Sequence, residues 1–361
     1  MLKRLNLHLS YLCNLSCSYC FLTDEQRHSD ATFCKWDSLL HMLGQLDLAD
    51  DLIVNLASGE LSLRPKLIAE ACKWLKKIER TKETHLHFGL YTNGTNIDSI
   101  IELIEDGILD VNETSLSWDG LASRWTRNKN YYCPPLIESD YMKIIDKISA
   151  SPIARNMNVR TAITREFLER DVYIESLEYL AHAGVKNWEY YFIMDNDDYR
   201  DPEIQDKFEV FIDYLYKIRG DLSVFNLDHI ESHYAKKSAI RDKSWCSNKT
   251  MKSIDISPDG HIFPCGLFSL KGKYAYDGNE DISLNDPIDT IKKSVDEMSC
   301  KECKESTSCL SYKECKYTHC VECNRIPKFR KGNTDEYRFA QLCGMRKIEY
   351  DSYMKRVNKN V

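Results

Sequence analysis

Between residues 5 and 219 the chain alternates two kinds of hydrophobic pattern. Short runs that are apolar or alternate apolar with polar occur at 5–10 (LNLHLS), 52–57 (LIVNLA), 85–92 (HLHFGLYT), 113–118 (ETSLSW), 158–164 (NVRTAIT) and 188–194 (WEYYFIM). Their length and their Leu, Ile, Val, Tyr and Phe content predict β-strands. In 35–47, 65–79, 97–106, 139–149, 171–183 and 203–219 the apolar residues instead recur at helical spacing. Parallel neighbours need a crossover between them, and a helix is the usual one. Six strand-then-helix units therefore predict an α/β fold over 1–220: a parallel sheet forming a partial (β/α)6 TIM-like barrel. Functional residues of such a sheet belong at the C-terminal ends of its strands.

Past about residue 240 the pattern changes. Helical periodicity fades, and nine cysteines appear among Lys, Asp and Ser: Cys246, Cys265, Cys300, Cys303, Cys309, Cys315, Cys320, Cys323 and Cys343. A stretch this polar buries too little apolar surface to fold on that alone, so metal sites are expected to supply the missing folding free energy. Within it, "DISPDGHIFPC" (255–265) reads as a hairpin turning at PDG. We expect 221–361 to form a second, small cysteine-rich α+β domain with a bridging segment and a C-terminal helix.

Composition narrows the partners. The chain has 361 residues, 43% of them hydrophobic, enough for a sizeable core. Lys and Arg number 49 against 56 Asp and Glu, a net charge of −7, which favours neither nucleic acid nor an anionic membrane as a partner. No apolar run approaches the roughly 20 residues of a membrane span. The opening "MLKRLNLHLSYLC" is too short and polar for a secretory signal, so a cytoplasmic location is expected. In that setting 15 clustered cysteines, an odd number, point to metal or redox chemistry over a disulfide framework. The ten histidines show no H-x3-H or HExxH spacing.

The first cluster, Cys13, Cys17 and Cys20, has C-x3-C-x2-C spacing just after the first strand. Structural zinc takes four ligands, and the next cysteine, Cys34, lies fourteen residues beyond Cys20. A cubane iron–sulfur cluster held by three thiolates leaves one iron open to bind a small molecule and pass it an electron.

This motif, with the aromatic Tyr19 before its last cysteine, resembles that of the radical S-adenosylmethionine (SAM) superfamily. The resemblance implies that the open iron of a [4Fe–4S] cluster chelates the amino and carboxylate groups of SAM. Reductive cleavage then yields a 5′-deoxyadenosyl radical that takes a substrate hydrogen. Three further segments match in order, each at a strand end. "SGEL" (58–61) resembles the family's GGEP segment and keeps Gly59 and Glu60, which implies contact with the methionyl amine. "YTNGT" (91–95) resembles its TNG segment, with Thr92 and Asn93. "SLSWDG" (115–120) resembles its S-x-D-G segment, where Ser117 would approach the SAM ribose or carboxylate. TNG and WDG are turn formers in any protein; their order behind the cysteines gives them weight. Arg127 is expected on the SAM carboxylate, on substrate, or on the solvated surface.

The C-terminal cysteines resemble the SPASM extension of the same superfamily, which implies two auxiliary [4Fe–4S] clusters and three in all. The second auxiliary cluster would use Cys300, Cys303, Cys309 and Cys343. The first would use Cys246, Cys265 and two of Cys315, Cys320 and Cys323; nine cysteines for eight sites leave one over. SPASM enzymes act mostly on peptides or proteins. Their sulfatase-maturing branch has an Asp base directly after the hairpin cysteine, where this chain has Gly266, so another carboxylate, Asp119, would have to substitute. The expectation is therefore a peptide maturase that crosslinks a ribosomally made precursor (C–C, C–O or C–S). Alternatives are formylglycine-type oxidation, epimerisation or sugar dehydrogenation, and, outside enzymes, an iron–sulfur or zinc scaffold. Implied partners are the precursor peptide and an electron donor such as flavodoxin or ferredoxin. With the first strand at residue 5, leader recognition is assigned to the barrel mouth, the C-terminal domain or a separate protein. "EYY" (189–191) is a candidate cavity lining, and Cys34, Cys72 and Cys133 lie outside every motif.

Overall fold

The computed structural model describes residues 1–127, 138–193, 197–224, 226–228, 231, 253–263, 282–298 and 336–357. Six strands follow one another in parallel: β1 (Leu2–Ser10), β2 (Leu48–Ser58), β3 (His85–Thr92), β4 (Ser115–Ser117), β5 (Asn158–Ile163) and β6 (Asn187–Phe192). The helices that follow them are α1 (Trp36–Gln45), α2 (Pro65–Lys82), α3 (Ile97–Glu105), α4 (Glu138–Ala150), α5 (Arg170–His182) and α6 (Pro202–Ile218). The six repeated units expected from the hydrophobic pattern are thus present, as a parallel sheet of partial TIM-barrel type.

The sheet is longer than those six strands. Its order is β7-β6-β5-β4-β3-β2-β1-β8-β9. At one edge β7 (Ser223–Val224) pairs with β6. At the other, β8 (Ser253–Ile256) lies parallel to β1, from Arg4↔Ser253 to Leu7↔Ile256, and β9 (Ile262–Phe263) returns antiparallel. The expected hairpin is therefore present, and it continues the barrel sheet. Its turn is closed by Gly260 N–H donating to the Ser257 carbonyl at 2.9 Å, with Gly260 at φ +84°, a conformation that favours glycine.

Side chains alternate along a strand with period two, which splits the sheet into two unlike faces. Leu5, Leu7 and Leu9 of β1, Val54 and Leu56 of β2 and Leu90 of β3 are fully buried in one core with Leu39, Ile68, Ile100 and Leu177 of the surrounding helices. Many of the intervening positions are polar and share the opposite face by register: Asn6↔Asn55, Ser117↔Arg160, Arg160↔Glu189 and Asn6↔Asp255. That polar face is the lumen of the partial barrel. After α7 (Ile288–Met298), the last helix, α8 (Glu336–Val357), packs against α6 through Arg356–Asp213 (2.7 Å) and Lys355–Glu209. Its buried Glu349 accepts from Tyr190 Oη of β6. Among the described residues no helix is long and apolar enough to cross a membrane.

Candidate active site

The cysteine loop leaves the C-terminal end of β1. Cys13, Cys17 and Cys20 are free thiols, each half-buried. The loop's backbone is tied at three points: Cys13 N–H donates to the Arg27 carbonyl (3.0 Å), Ser18 N–H to the Thr126 carbonyl (2.8 Å), and Cys20 N–H to the Cys17 carbonyl (3.0 Å). Burial pushes the Cys17 thiol up to about 12, and burial with the nearby Glu60 carboxylate pushes Cys13 up as well. Such a site resists bare thiolates and accepts them when a metal group neutralises them. Among the described residues no three His, Cys, Asp or Glu converge on a single ion. A cubane cluster asks for less, since each thiolate meets a different iron. Three free thiols on one tied loop fit that group.

The end of β2 packs directly on this loop. A Cβ at Gly59 would lie 2.3 Å from the Tyr11 carbonyl oxygen and 2.4 Å from that of Leu12, so only glycine fits. Gly59 N–H donates to the Ser10 carbonyl (3.2 Å) and Glu60 N–H to the Leu12 carbonyl (2.8 Å). The Glu60 side chain, 2% exposed, accepts from Ser62 N–H (3.1 Å), Thr92 Oγ1 (2.7 Å) and Asn93 N–H (2.5 Å). Burial raises its pKa, and these hydrogen bonds oppose the rise. Asn93 in turn donates to Asn14 Oδ1 (3.0 Å), and its Nδ2 lies 4.0 Å from Cys13 Sγ. Three of the expected segments, the cysteines, SGEL and TNG, thus converge. A buried carboxylate beside them fits the ammonium group of a SAM molecule.

The fourth segment has a different use. Asp119, fully buried, accepts five hydrogen bonds: from Tyr19 Oη (2.5 Å), Thr126 Oγ1 (2.9 Å), Arg127 Nε (2.8 Å) and Nη2 (3.0 Å), and Ala162 N–H (3.0 Å). A carboxylate offers about four lone-pair sites, so none remains for a substrate proton. In this geometry Asp119 is a tie-point between the cysteine loop, β4 and β5. Arg127, 3% exposed, directs Nε and Nη2 of its guanidinium to Asp119, with the Tyr19 ring 5.6 Å away. Tyr19 joins the same network through its hydroxyl. Ser117 stands half-buried on the lumen face at the end of β4.

Below the loop the lumen is polar. Arg160 pairs with Glu189 and lies 4.7 Å from the Tyr91 ring centroid and 5.4 Å from that of Tyr191. On the other side His8 and Asn6 approach Asp255 of β8 at 3.5 and 3.0 Å. Strand alternation divides "EYY": Glu189 and Tyr191 face the lumen, while Tyr190 is buried towards the helices. Asn14, Arg27, Thr126, Arg160, His8 and Asp255 belong to the site or its lining without having been singled out from sequence. For the strand residues the period-two pattern was the available signal. Cys34 is exposed and Cys72 buried in the core. Cys133, Cys246, Cys265, Cys300, Cys303, Cys309, Cys315, Cys320 and Cys323 lie outside the described residues; Cys343 falls on α8, its side chain outside them.

Comparison with known proteins agrees with this geometry. The structure is similar to anSMEcpe with bound AdoMet, at 17% identity and TM-score 0.69 over 99% of this chain and 98% of that one. It is similar to anSMEcpe with AdoMet and a Cp18Cys peptide, at 16% identity and TM-score 0.67 over 100% of both. SuiB of Streptococcus suis matches at 15% identity and TM-score 0.55, over 80% of this chain and 65% of that one. At these identities the likeness is one of fold. A sequence search of curated proteins finds no match. The family model described as the Radical SAM superfamily matches residues 7–208, which carry the cysteine loop, Glu60, Asn93 and Asp119. On that match, which spans more than half its length, the chain belongs to the radical SAM superfamily.

Proposed function

We propose that this enzyme is a peptide maturase that removes a side-chain hydrogen from a ribosomally made precursor and forms an intrapeptide crosslink. The observation that carries the reading is the junction of the free Cys13, Cys17 and Cys20 with the buried Glu60 carboxylate at the strand ends, above a polar lumen. When bound there, a [4Fe–4S] cluster with SAM supplies one-electron reduction and a carbon-centred radical. The protein's own part is positional. Glu60 meets the SAM ammonium, the Asp119–Arg127 pair holds the loop, and Ser117 faces the ribose or carboxylate. Arg160, Glu189, Asn6 and Asp255 offer the lumen side both donors and acceptors, as a peptide backbone requires. A structural neighbour with a bound peptide supports that substrate class. The nine C-terminal cysteines are assigned to two auxiliary clusters that accept the surplus electron, with a flavodoxin or ferredoxin as donor to the first.

The test is anaerobic reconstitution with iron and sulfide. With SAM and dithionite the chain is expected to release 5′-deoxyadenosine, and a chain with all three N-terminal cysteines changed to Ala to release none. Co-expressed precursor peptide is expected to lose two hydrogens by mass. Metal binding with no 5′-deoxyadenosine would instead mark a scaffold, and a peptide mass unchanged in H2O but raised by one deuterium in D2O would mark an epimerase.

A further inference from the structure

Arg27 is bonded to the start of the cysteine loop and to the chain just past its end. It closes the short helical turn Asp24–Arg27, which is fixed by a capping box between Thr23 and Gln26. The Arg27 carbonyl accepts from Cys13 N–H at 3.0 Å, at the first thiol of the loop. Its guanidinium, only 8% of the residue being exposed, donates to the Leu22 carbonyl at 2.7 Å, two residues past Cys20, the last thiol, pairs with Asp24, and interacts electrostatically with Cys20. Its charge also reaches Cys17. Its Nε is buried with no hydrogen-bond partner among the described residues. Orphaned buried donors are uncommon enough to call for a partner, and a sulfur-rich group held by Cys20 would provide one.

A structural arginine would need none of this. The loop is already tied through backbone groups, and burying a guanidinium beside a loop of thiols is useful chiefly if those thiols carry charge. Reduction adds one negative charge to an iron–sulfur group. A buried cation and N–H donors to sulfur stabilise that added charge and raise the potential. Asp24 works against this from outside, its side chain being 77% exposed.

We propose, on the reading that Cys13, Cys17 and Cys20 hold a [4Fe–4S] cluster, that Arg27 is a positioning residue that sets that cluster's reduction potential. It acts through its buried charge and the unpartnered Nε beside the cysteine loop, and Asp24 tempers it. The full chain, reconstituted anaerobically, is titrated with reductant and followed by electron paramagnetic resonance. The relevant signal is identified as the one that changes when SAM is added. Arg27→Gln is expected to lower the reduced-to-oxidised ratio at a fixed potential about tenfold, a shift of about 59 mV for one electron. Arg27→Lys, which keeps the charge and loses the fork, falls between. Asp24→Asn, a surface change, moves the ratio the other way. Loaded Arg27→Gln and Asp24→Asn proteins with unshifted potentials would overturn the proposal. If Arg27→Gln fails to load, Asp24→Asn decides alone: an upward shift supports the proposal and no shift ends it. A wild-type chain lacking any SAM-responsive signal refutes instead the functional reading beneath it.

Discussion

Gly59 and Glu60 show how two adjacent residues can serve one site for separate reasons. Gly59 is there for space. An alanine would set its Cβ 2.3 Å from the Tyr11 carbonyl oxygen, and backbone cannot yield as a side-chain tip can. Overpacking of this kind costs about 1–3 kcal/mol, and here it separates β2 from the cysteine loop. Gly59→Ala is expected to keep the far-ultraviolet circular dichroism of the fold while losing iron from the N-terminal site; full iron content would contradict the close-approach account. Glu60 is there for charge. Its carboxyl is held above the ordinary 4.5 by burial, despite its hydrogen bonds, so the folded chain binds its proton more tightly than the unfolded chain does. The resulting stability is fully present below pH 4.5 and is lost as pH rises through the raised value. The melting temperature of the metal-free protein is therefore expected to fall over that interval. In Glu60→Gln the fall should be smaller, and an identical profile would show that other groups cause it.

At the scale of elements, the sheet joins parts that the sequence pattern keeps apart. β8, from the segment beyond residue 240, pairs with β1 in register from Arg4↔Ser253 to Leu7↔Ile256. Asp255 thereby reaches His8 and Asn6 in the lumen. The last helix is joined in a second way, through the buried contact of Tyr190 Oη with Glu349 and two ion pairs to α6. Exposed pairs of the latter kind contribute little, whereas a buried hydrogen bond to a carboxylate is worth about 1–3 kcal/mol. Tyr190→Phe is expected to speed amide hydrogen exchange in 345–357 and to leave β1–β3 protected. Unchanged exchange would mean that apolar packing around Met345 alone holds the helix.

For the whole molecule, the iron inventory separates the parts of the functional reading. Three [4Fe–4S] clusters amount to about twelve irons per chain, and a chain with Cys13, Cys17 and Cys20 changed to Ala should keep about eight of them. Complete loss in that variant would remove the auxiliary assignment of Cys246, Cys265 and the C-terminal cysteines. What was legible in the sequence is what depends on local order. The spacing of apolar residues specifies six strands and six helices because the periods 2 and 3.6 follow from backbone geometry. The spacing of Cys13, Cys17 and Cys20 specifies a three-thiol site because all three lie on one short loop. The convergence of SGEL and TNG on that loop was legible only through family likeness, since contacts 33 or 80 residues apart leave no local period. The uses of Asp119 and Arg127 were decided only by the fold. A carboxylate and a guanidinium eight residues apart can face substrate or each other, and burial beside Tyr19, Thr126 and the Ala162 amide makes mutual pairing the lower-energy choice. Arg27 is the same case: in the sequence it is one surface-like arginine among 49 basic residues, and only the fold shows that it is buried beside the cysteine loop.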